Sequence, residues 1–315
     1  MLRLLSLSLP LIVATVAAPR PVALYEFDED SGSQIIDSSG VNPPANLDIL
    51  DQKALKRESG SLTILRPVLL SSKSPPAKLI NAIKRSGEIT ISAWITPANL
   101  SQSGPARIVT ISRDSSNRNV TLGQDKTKFD ARFRTEKTGV NGTPSLSSGK
   151  VVTKPTHVVF TRSKTGMGIM YLNGRKTGQR SFPSSPKNWD SNYRIALGNE
   201  LSNNRPWLGT FHQVAIYSHA LSPTDIAQQF QDGLAPAKPK SPAERSRILF
   251  TNHVEPILAK HCLECHDSAT AEGDFDLSHR GTAFLDPLII SPGHPKKRLV
   301  RHSVDSADTP HNRTP

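Results

Sequence analysis

Short runs of apolar and β-branched residues recur along the chain from Val22 to Phe230, and several alternate with polar positions. Such alternation is typical of half-buried antiparallel strands. Between the runs lie DSSG, NGRKTG and SNNRP, where Gly and Asn permit the positive φ that tight turns require. The pattern predicts a mainly β, antiparallel two-sheet sandwich or jelly roll. The predicted strands are Val22–Phe27, Glu88–Pro97, Arg107–Ser112, Thr156–Ser163, Met167–Gly174, Tyr193–Gly198 and Gly209–Ser218.

Two regions have a helical pattern instead. At the end of the strand-rich region, Ser222 is a candidate N-cap, with Pro223 at the first helical position and Asp225 in the first turn. Further on, apolar residues predict one or two short helices that Pro256 interrupts. The C-terminal part is therefore predicted to be a small α-helical module. The residues of its apolar face are Ile248, Leu249, Val254, Ile257 and Leu258.

Composition divides the 315 residues into four segments. Residues 1–18 place Arg3 ahead of an apolar run and then small residues, which predicts a secretory signal peptide cleaved near Ala17 or Ala18. The run is shorter than the ~20 apolar residues that a membrane span needs, and no later segment is apolar enough. Residues 19–232 form the predicted sandwich, 233–243 a stiff Pro-rich linker, and 244–315 the helical module. We therefore expect an exported protein, periplasmic or at the cell surface, without a transmembrane segment after cleavage.

The formal charge of +12 is unevenly distributed. Residues 19–243 carry 29 Lys and Arg against 17 Asp and Glu, whereas residues 244–315 carry 9 against 10. A basic exported domain attracts anionic polysaccharide or an acidic protein over long distances; the alternative is a solvated basic surface. Nucleic acid is not an expected partner, because the chain leaves the cytoplasm and lacks a basic-aromatic groove pattern.

The only two cysteines, Cys262 and Cys265, stand in the pentapeptide CLECH. A disulfide between them would close a very small loop and constrain the unfolded chain little. The pattern C-x-x-C-H is instead that of c-type haem attachment: two thiols form thioethers, and His266 becomes the proximal iron ligand. The alternatives are a zinc site that adds His261, a thioredoxin-like redox pair, and a degenerate site.

Four separated segments resemble one known family. LYEFDEDSGSQIIDSSG, EITISAWITP, HVVFTRSKTGMGIMYLNGRKTG and WLGTFHQVAIYSHALSPTDIAQQF are similar to the laminin-G-like branch of the concanavalin A-like lectin/glucanase fold, over residues 22–232. The resemblance implies a jelly roll of about a dozen strands that binds sugars or proteins. His212 stands where such domains commonly have an acidic residue.

The strand-rich region shows no pair of carboxylates alternating along a strand, so no retaining glycosidase is predicted. Its acidic turn, Glu26–Asp30, is either solvated or contacts Ca²⁺ through Asp28. Trp94 and Trp207 are interpreted as packing residues of the core or rim, with sugar stacking as the alternative for Trp207. We expect an electron carrier or binding protein rather than an enzyme.

The cysteine segment and the residues after it resemble the small planctomycete-type cytochrome c module. The matching blocks are Ile257–His266, Gly273–Arg280 and Pro292–Leu299. Relatives commonly end this module with a methionine that serves as distal ligand, whereas the three methionines here are Met1, Met167 and Met170. The resemblance thus implies a sixth position that is open, filled by histidine or supplied by residues missing from this chain, and it predicts a truncated or fragmentary product. The candidate histidines are His279, His294, His302 and His311.

These observations predict an exported c-type haem protein with an electron-transfer or redox-accessory role, exchanging electrons with a partner protein. Its lectin-like domain would target it to a polysaccharide or another cell-surface ligand. The alternative is a carbohydrate- or protein-binding adhesion protein whose cytochrome module is degenerate.

Overall fold

The computed structural model describes residues 19–58, 60–234, 246, 250, 254–271 and 276–279. The predicted signal peptide, residues 1–18, and residues 235–243 of the predicted linker lie outside the described residues. The chain divides into two units, Met1–Lys238 and Pro239–Pro315, and each is described by itself.

The first unit is built almost entirely of strands, and the second contributes one described helix. A short 3₁₀ turn, Gln52–Ala54, precedes the fourth strand. In chain order the elements are β1 (Ala23–Tyr25), β2 (Gln34–Ile35), β3 (Leu47–Ile49), β4 (Leu55–Glu58), β5 (Ser61–Ile64), β6 (Leu70–Ser71), α1 (Ala77–Ser86), β7 (Ile89–Pro97), β8 (Ala106–Ser112), β9 (Arg118–Asp125), β10 (Lys128–Phe133), β11 (Leu146–Ser148), β12 (Thr156–Arg162), β13 (Met167–Leu172), β14 (Arg175–Ser181), β15 (Arg194–Leu197), β16 (Gly209–Tyr217), α2 (Pro223–Asp232) and, in the second unit, α3 (Glu255–His261).

The described strands form two eight-stranded antiparallel sheets. Sheet A has the order β14-β13-β12-β7-β16-β5-β4, and β1 also pairs with β16. Sheet B has the order β11-β10-β9-β8-β15-β6-β3-β2. Neighbours in space are often distant in sequence, as in the pairing of β7 with both β12 and β16. This is the predicted antiparallel sandwich, with sixteen described strands where about a dozen were expected.

A hydrophobic core lies between the sheets, and a second apolar cluster lies on the other face of sheet A. The core takes alternate side chains from the strands of both sheets, as the period of two along a strand requires. The second cluster joins sheet A to α2 through Val159, Tyr171, Tyr217, Leu221 and Ile226. Sheet A is therefore apolar on both faces where α2 covers it. Core residues include Ile91, Ile95, Phe160, Ile111, Leu122, Phe129 and Phe133.

All seven strands predicted from the sequence are present, with ends that differ by one or two residues. The predicted hairpin tip is confirmed, since Asn173 and Gly174 between β13 and β14 both have positive φ, 49° and 75°. The sequence pattern missed β14, because every side chain on this edge strand is polar and its residues are mostly exposed. Charged, exposed edge strands discourage pairing with another chain.

The helix ends follow ordinary capping chemistry. The Ser222 hydroxyl accepts from the backbone N–H of Asp225, and the Asp225 carboxylate accepts from that of Ser222, which confirms the predicted start of α2. Pro256 is predicted to interrupt between two short helices, and Ile248 and Leu249 of the first of them lie outside the described residues, so this stays a prediction. Pro256 lies in the first turn of α3, where the missing N–H has no intrahelical partner to lose.

Trp94 holds α2 against sheet A through a stack of three rings. Its indole lies 4.7 Å from the ring of His157 and 5.9 Å from that of Phe230 on α2, both nearly parallel. His157 is buried, and its Nε2 shares a 2.8 Å hydrogen bond with the Ser92 hydroxyl. The predicted packing role of Trp94 is therefore confirmed.

Burial gives His157 a measurable effect on stability. Desolvation of the imidazolium lowers the pKa of His157 from 6.5 to about 4. Between these values the unfolded chain binds a proton that the folded protein does not, so the free energy of unfolding falls as the pH falls. We expect a loss of about 3 kcal/mol from this group between pH 6.5 and 4, at ~1.4 kcal/mol per unit. Urea unfolding across this range measures it. In His157→Gln that component should disappear, and an unchanged pH profile would contradict the assignment.

Candidate functional site

The CLECH segment forms the turn that ends α3. Cys262 is the residue after the last helical position, and its backbone N–H donates to the carbonyl of Leu258 at 2.9 Å. Cys265 and His266 then donate their N–H groups to the Cys262 carbonyl at 3.3 and 3.0 Å. Residues three and four apart in such a turn are neighbours on one side. The backbone therefore places the three predicted haem residues together on a single turn.

Four further hydrogen bonds fix the chain after His266. The Asp267 carboxylate accepts from the N–H groups of Ala269 and Thr270 and from the Thr270 hydroxyl, at 2.8 to 2.9 Å. The N–H of Thr270 and its hydroxyl hold the pKa of Asp267 below its usual value, and Ala269 adds to this effect. The backbone N–H of Leu277 donates to the carbonyl of His266 at 2.8 Å. The segment after the motif thus folds back, so that its backbone contacts the backbone of His266.

Apolar side chains lead into this turn from the helix. Val254 and Ile257 lie three residues apart, so they share one side of the helix start, and they are 42% and 59% exposed. Phe250, four residues before Val254, is 49% exposed. Two thiols, one imidazole and an exposed apolar side are the groups that fit a covalently held haem. The zinc alternative stays a prediction.

Of the candidate distal ligands, only His279 lies within the described residues. His294, His302 and His311 lie outside them. His279 is exposed, and its Nδ1 lies 2.9 Å from the hydroxyl of Ser278.

The acidic turn proposed for Ca²⁺ has a structural contact at Glu29. Glu29 is 4% exposed, accepts from the backbone N–H of Ile36 at 2.8 Å, and has its second oxygen 3.6 Å from Arg57. Burial raises the pKa of Glu29. Within the part of the chain that the structure describes, no group of three His, Cys, Asp or Glu is placed to hold a metal ion.

Trp207 and His212 both lie in the sandwich, in different surroundings. Trp207 is 0% exposed, donates its indole N–H to the side chain of Gln124 at 3.0 Å and contacts Phe211, so it is a core residue and not a sugar platform. His212 is the extra residue of a bulge in β16, where Phe211 pairs with Ile95 and Gln213 with Trp94. Its Nε2 lies 2.9 Å from the Thr96 hydroxyl, and burial lowers its pKa.

Sequence reasoning missed a buried polar cluster on sheet B. Arg107, Arg118 and Glu200 are each 0% exposed, although they come from two strands and a loop. Arginines flanking apolar strand residues, as in RIVTIS, resemble ordinary solvent-facing positions of a half-buried strand. The signal that identifies them is their burial, which appears only once the strands are paired.

Two family models match the chain. Residues 72–227 match the concanavalin A-like lectin/glucanases superfamily, and residues 262–311 match planctomycete cytochrome C. The chain therefore carries a laminin-G-like domain followed by a planctomycete-type cytochrome c module. The second match begins at Cys262, the first cysteine of the turn described above. No curated protein sequence matches the chain. No described helix is long and apolar enough to cross a membrane.

Solved structures share the sandwich fold at low sequence identity. Trypanosoma rangeli sialidase has a TM-score of 0.51 at 14% identity, over 69% of this chain and 33% of the sialidase. The binding domain of botulinum neurotoxin DC, in complex with rat synaptotagmin II, has a TM-score of 0.50 at 13% identity, over 68% and 51%. The match thus spans about a third to a half of these proteins. At such identities the likeness shows the fold alone.

Proposed function

We propose that this chain is an exported c-type haem protein with an electron-transfer or redox-accessory role, and that its lectin-like domain targets it to a surface ligand. The observation that carries the proposal is the turn after α3, where Cys265 and His266 both hydrogen-bond to the Cys262 carbonyl. The planctomycete cytochrome c match starting at Cys262 supports it. The signal-like residues 1–18 support export.

In this proposal Cys262 and Cys265 hold the cofactor and His266 is the proximal ligand. Each thiol would add across one vinyl group of haem: the S–H bond and the vinyl double bond would be replaced by a carbon–sulfur and a carbon–hydrogen bond, so no oxidant would be needed. His266 would bind the iron through an imidazole nitrogen, while Val254 and Ile257 offer apolar surface. Once bound, haem supplies reversible one-electron chemistry, whose potential depends on the axial ligands.

The redox role is tested on the full chain produced with a c-type haem maturation system. We expect covalently held haem that is reduced and reoxidised reversibly in a potentiometric titration followed by visible absorbance. The transition should have a one-electron slope. A chain that holds haem but cannot be cycled would contradict electron transfer, while leaving attachment itself intact.

A second candidate function is binding by the sandwich, with a degenerate cytochrome module. The buried cationic cluster on sheet B favours it, because such a cluster offers hydrogen-bond donors to an acidic ligand. A glycan array probed with the full chain separates the two functions. Ligand binding without covalent haem would favour adhesion. Covalent haem without any bound glycan would favour the electron-transfer or redox-accessory role.

A further inference from the structure

The face of sheet B that points away from the core carries polar side chains that are entirely removed from solvent. Along β8 and β9 the core takes residues such as Ile111, Val120 and Leu122. The remaining positions include five polar side chains with 0% exposure. Two exposed loops flank them, and the Asn204 amide of one donates to the Ser115 hydroxyl of the other at 3.4 Å. The five are Arg107, Thr110, Ser112, Arg118 and Thr121.

One carboxylate, Glu200, stands among these side chains. It accepts from Arg107 Nε at 2.8 Å, from the Ser112 hydroxyl and from the Leu201 N–H at 3.1 Å. Ser112 is the residue directly opposite Arg118 in the β8–β9 ladder. Both arginines therefore lie close to the same carboxylate.

The charges in this cluster do not balance. Arg118 donates to the Thr121 hydroxyl at 3.4 Å and to the Ser115 carbonyl, and no described carboxylate forms an ion pair with it. Burial, with the charge of Arg107 adding to it, lowers the pKa of Arg118 to about 9. The next carboxylate on this face, Asp130, is paired with Arg132 at 3.1 Å. Two buried guanidinium groups thus share the single negative charge of Glu200.

Each of the two guanidinium groups also has a buried nitrogen without a hydrogen-bond acceptor among the described residues, Nη2 of Arg107 and Nε of Arg118. Buried donors of this kind are rare in native structures, and a buried cation without a counter-charge is strongly destabilising. An acceptor with negative charge would remove both penalties at once.

We propose that this cluster binds an anionic group, a carboxylate or sulfate such as an acidic sugar carries, through Arg118 and Arg107. Guanidinium groups donate charge-assisted hydrogen bonds to oxyanions, and Thr110, Thr121 and Ser112 add neutral hydroxyls around them. Because both guanidinium groups are 0% exposed, the anion would reach them only when the contact between the Ser115 and Asn204 loops opens. The inference concerns the sandwich alone and does not rest on haem.

The test is thermal unfolding of the full chain in sodium sulfate or sodium glucuronate, against sodium chloride at equal ionic strength and against neutral glucose. At ten times its Kd, a specific anion should raise the Tm of the wild type by about 3 °C. In Arg118→Gln that rise should be absent. The matched control Arg175→Gln, which removes the same charge from the exposed strand β14, should keep it.

The outcomes separate the two sources of the anion. A rise with sulfate and glucuronate indicates a site for small oxyanions in general, and a rise with glucuronate alone indicates an acidic sugar; both support the proposal. No rise over chloride, or an equal rise in the wild type and Arg118→Gln, would overturn it, since sulfate also stabilises proteins non-specifically. If Arg118→Gln does not fold, the wild-type comparison of glucuronate with glucose decides alone.

Discussion

The double substitution Cys262→Ala/Cys265→Ala is expected to abolish covalent haem attachment completely. Both thiols of the chain lie in the turn after α3, so no other cysteine can replace them. The variant should still fold, because Cys262 is only partly buried and Cys265 is exposed. Haem staining of a denaturing gel and the pyridine haemochrome spectrum measure the loss.

The matched control is Ser268→Ala, an exposed position close after the same motif, which should retain haem at the wild-type level. If the double alanine variant still carries haem through denaturation, attachment does not involve this turn. The assignment of Cys262 and Cys265 would then be wrong.

Replacing Glu200 by Gln is expected to lower the free energy of unfolding by about 3–5 kcal/mol, because a buried ion pair loses one partner. The variant removes the ion-pair partner of Arg107 and the negative charge that stabilises the Arg118 cation, and it replaces one of the two accepting oxygens of Glu200 by an NH2 group. Urea unfolding of the full chain gives the difference directly.

Glu58→Gln serves as its control, since the Lys56–Glu58 pair is solvent-exposed and such pairs contribute little. A loss as small as in this control would contradict the account of sheet B. The proposed anion site predicts a second result for the same variant. Sulfate should stabilise Glu200→Gln more than the wild type, because the bound anion replaces the missing carboxylate.

The strand pattern identified seven of the sixteen described strands, and it missed some that also build the core, such as β9 and β10 with Leu122, Phe129 and Phe133. Strands such as β7 and β12 combine β-branched and aromatic residues with alternation, and these signals are local. Strand β14 has no apolar position to reveal it. Helix α1 was also missed, although Leu79, Ile80 and Ile83 face the core and Gly87 ends the helix with φ of 73°. The spacing of those three residues was a usable signal.

The two candidate sites differ in how far sequence could reach them. The CLECH motif holds its chemistry in five consecutive residues, so spacing alone indicates the turn that brings them together. The sheet B cluster joins residues 107, 118 and 200, which only strand pairing brings close. An arginine in a half-buried strand is normally expected to face solvent, and burial on this face depends on loops that no periodicity describes. Physical reasoning from sequence could not predict that cluster.

The central claim is that the CLECH turn attaches haem, and the most direct test is the mass of the peptide containing residues 262–266. The full chain would be produced with a c-type haem maturation system and digested under denaturing conditions. We expect the peptide to be heavier by one entire haem, because thiol addition to vinyl groups releases no atoms. Recovery of the unmodified dithiol peptide, or of a disulfide form lighter by a pair of hydrogens, would contradict the account.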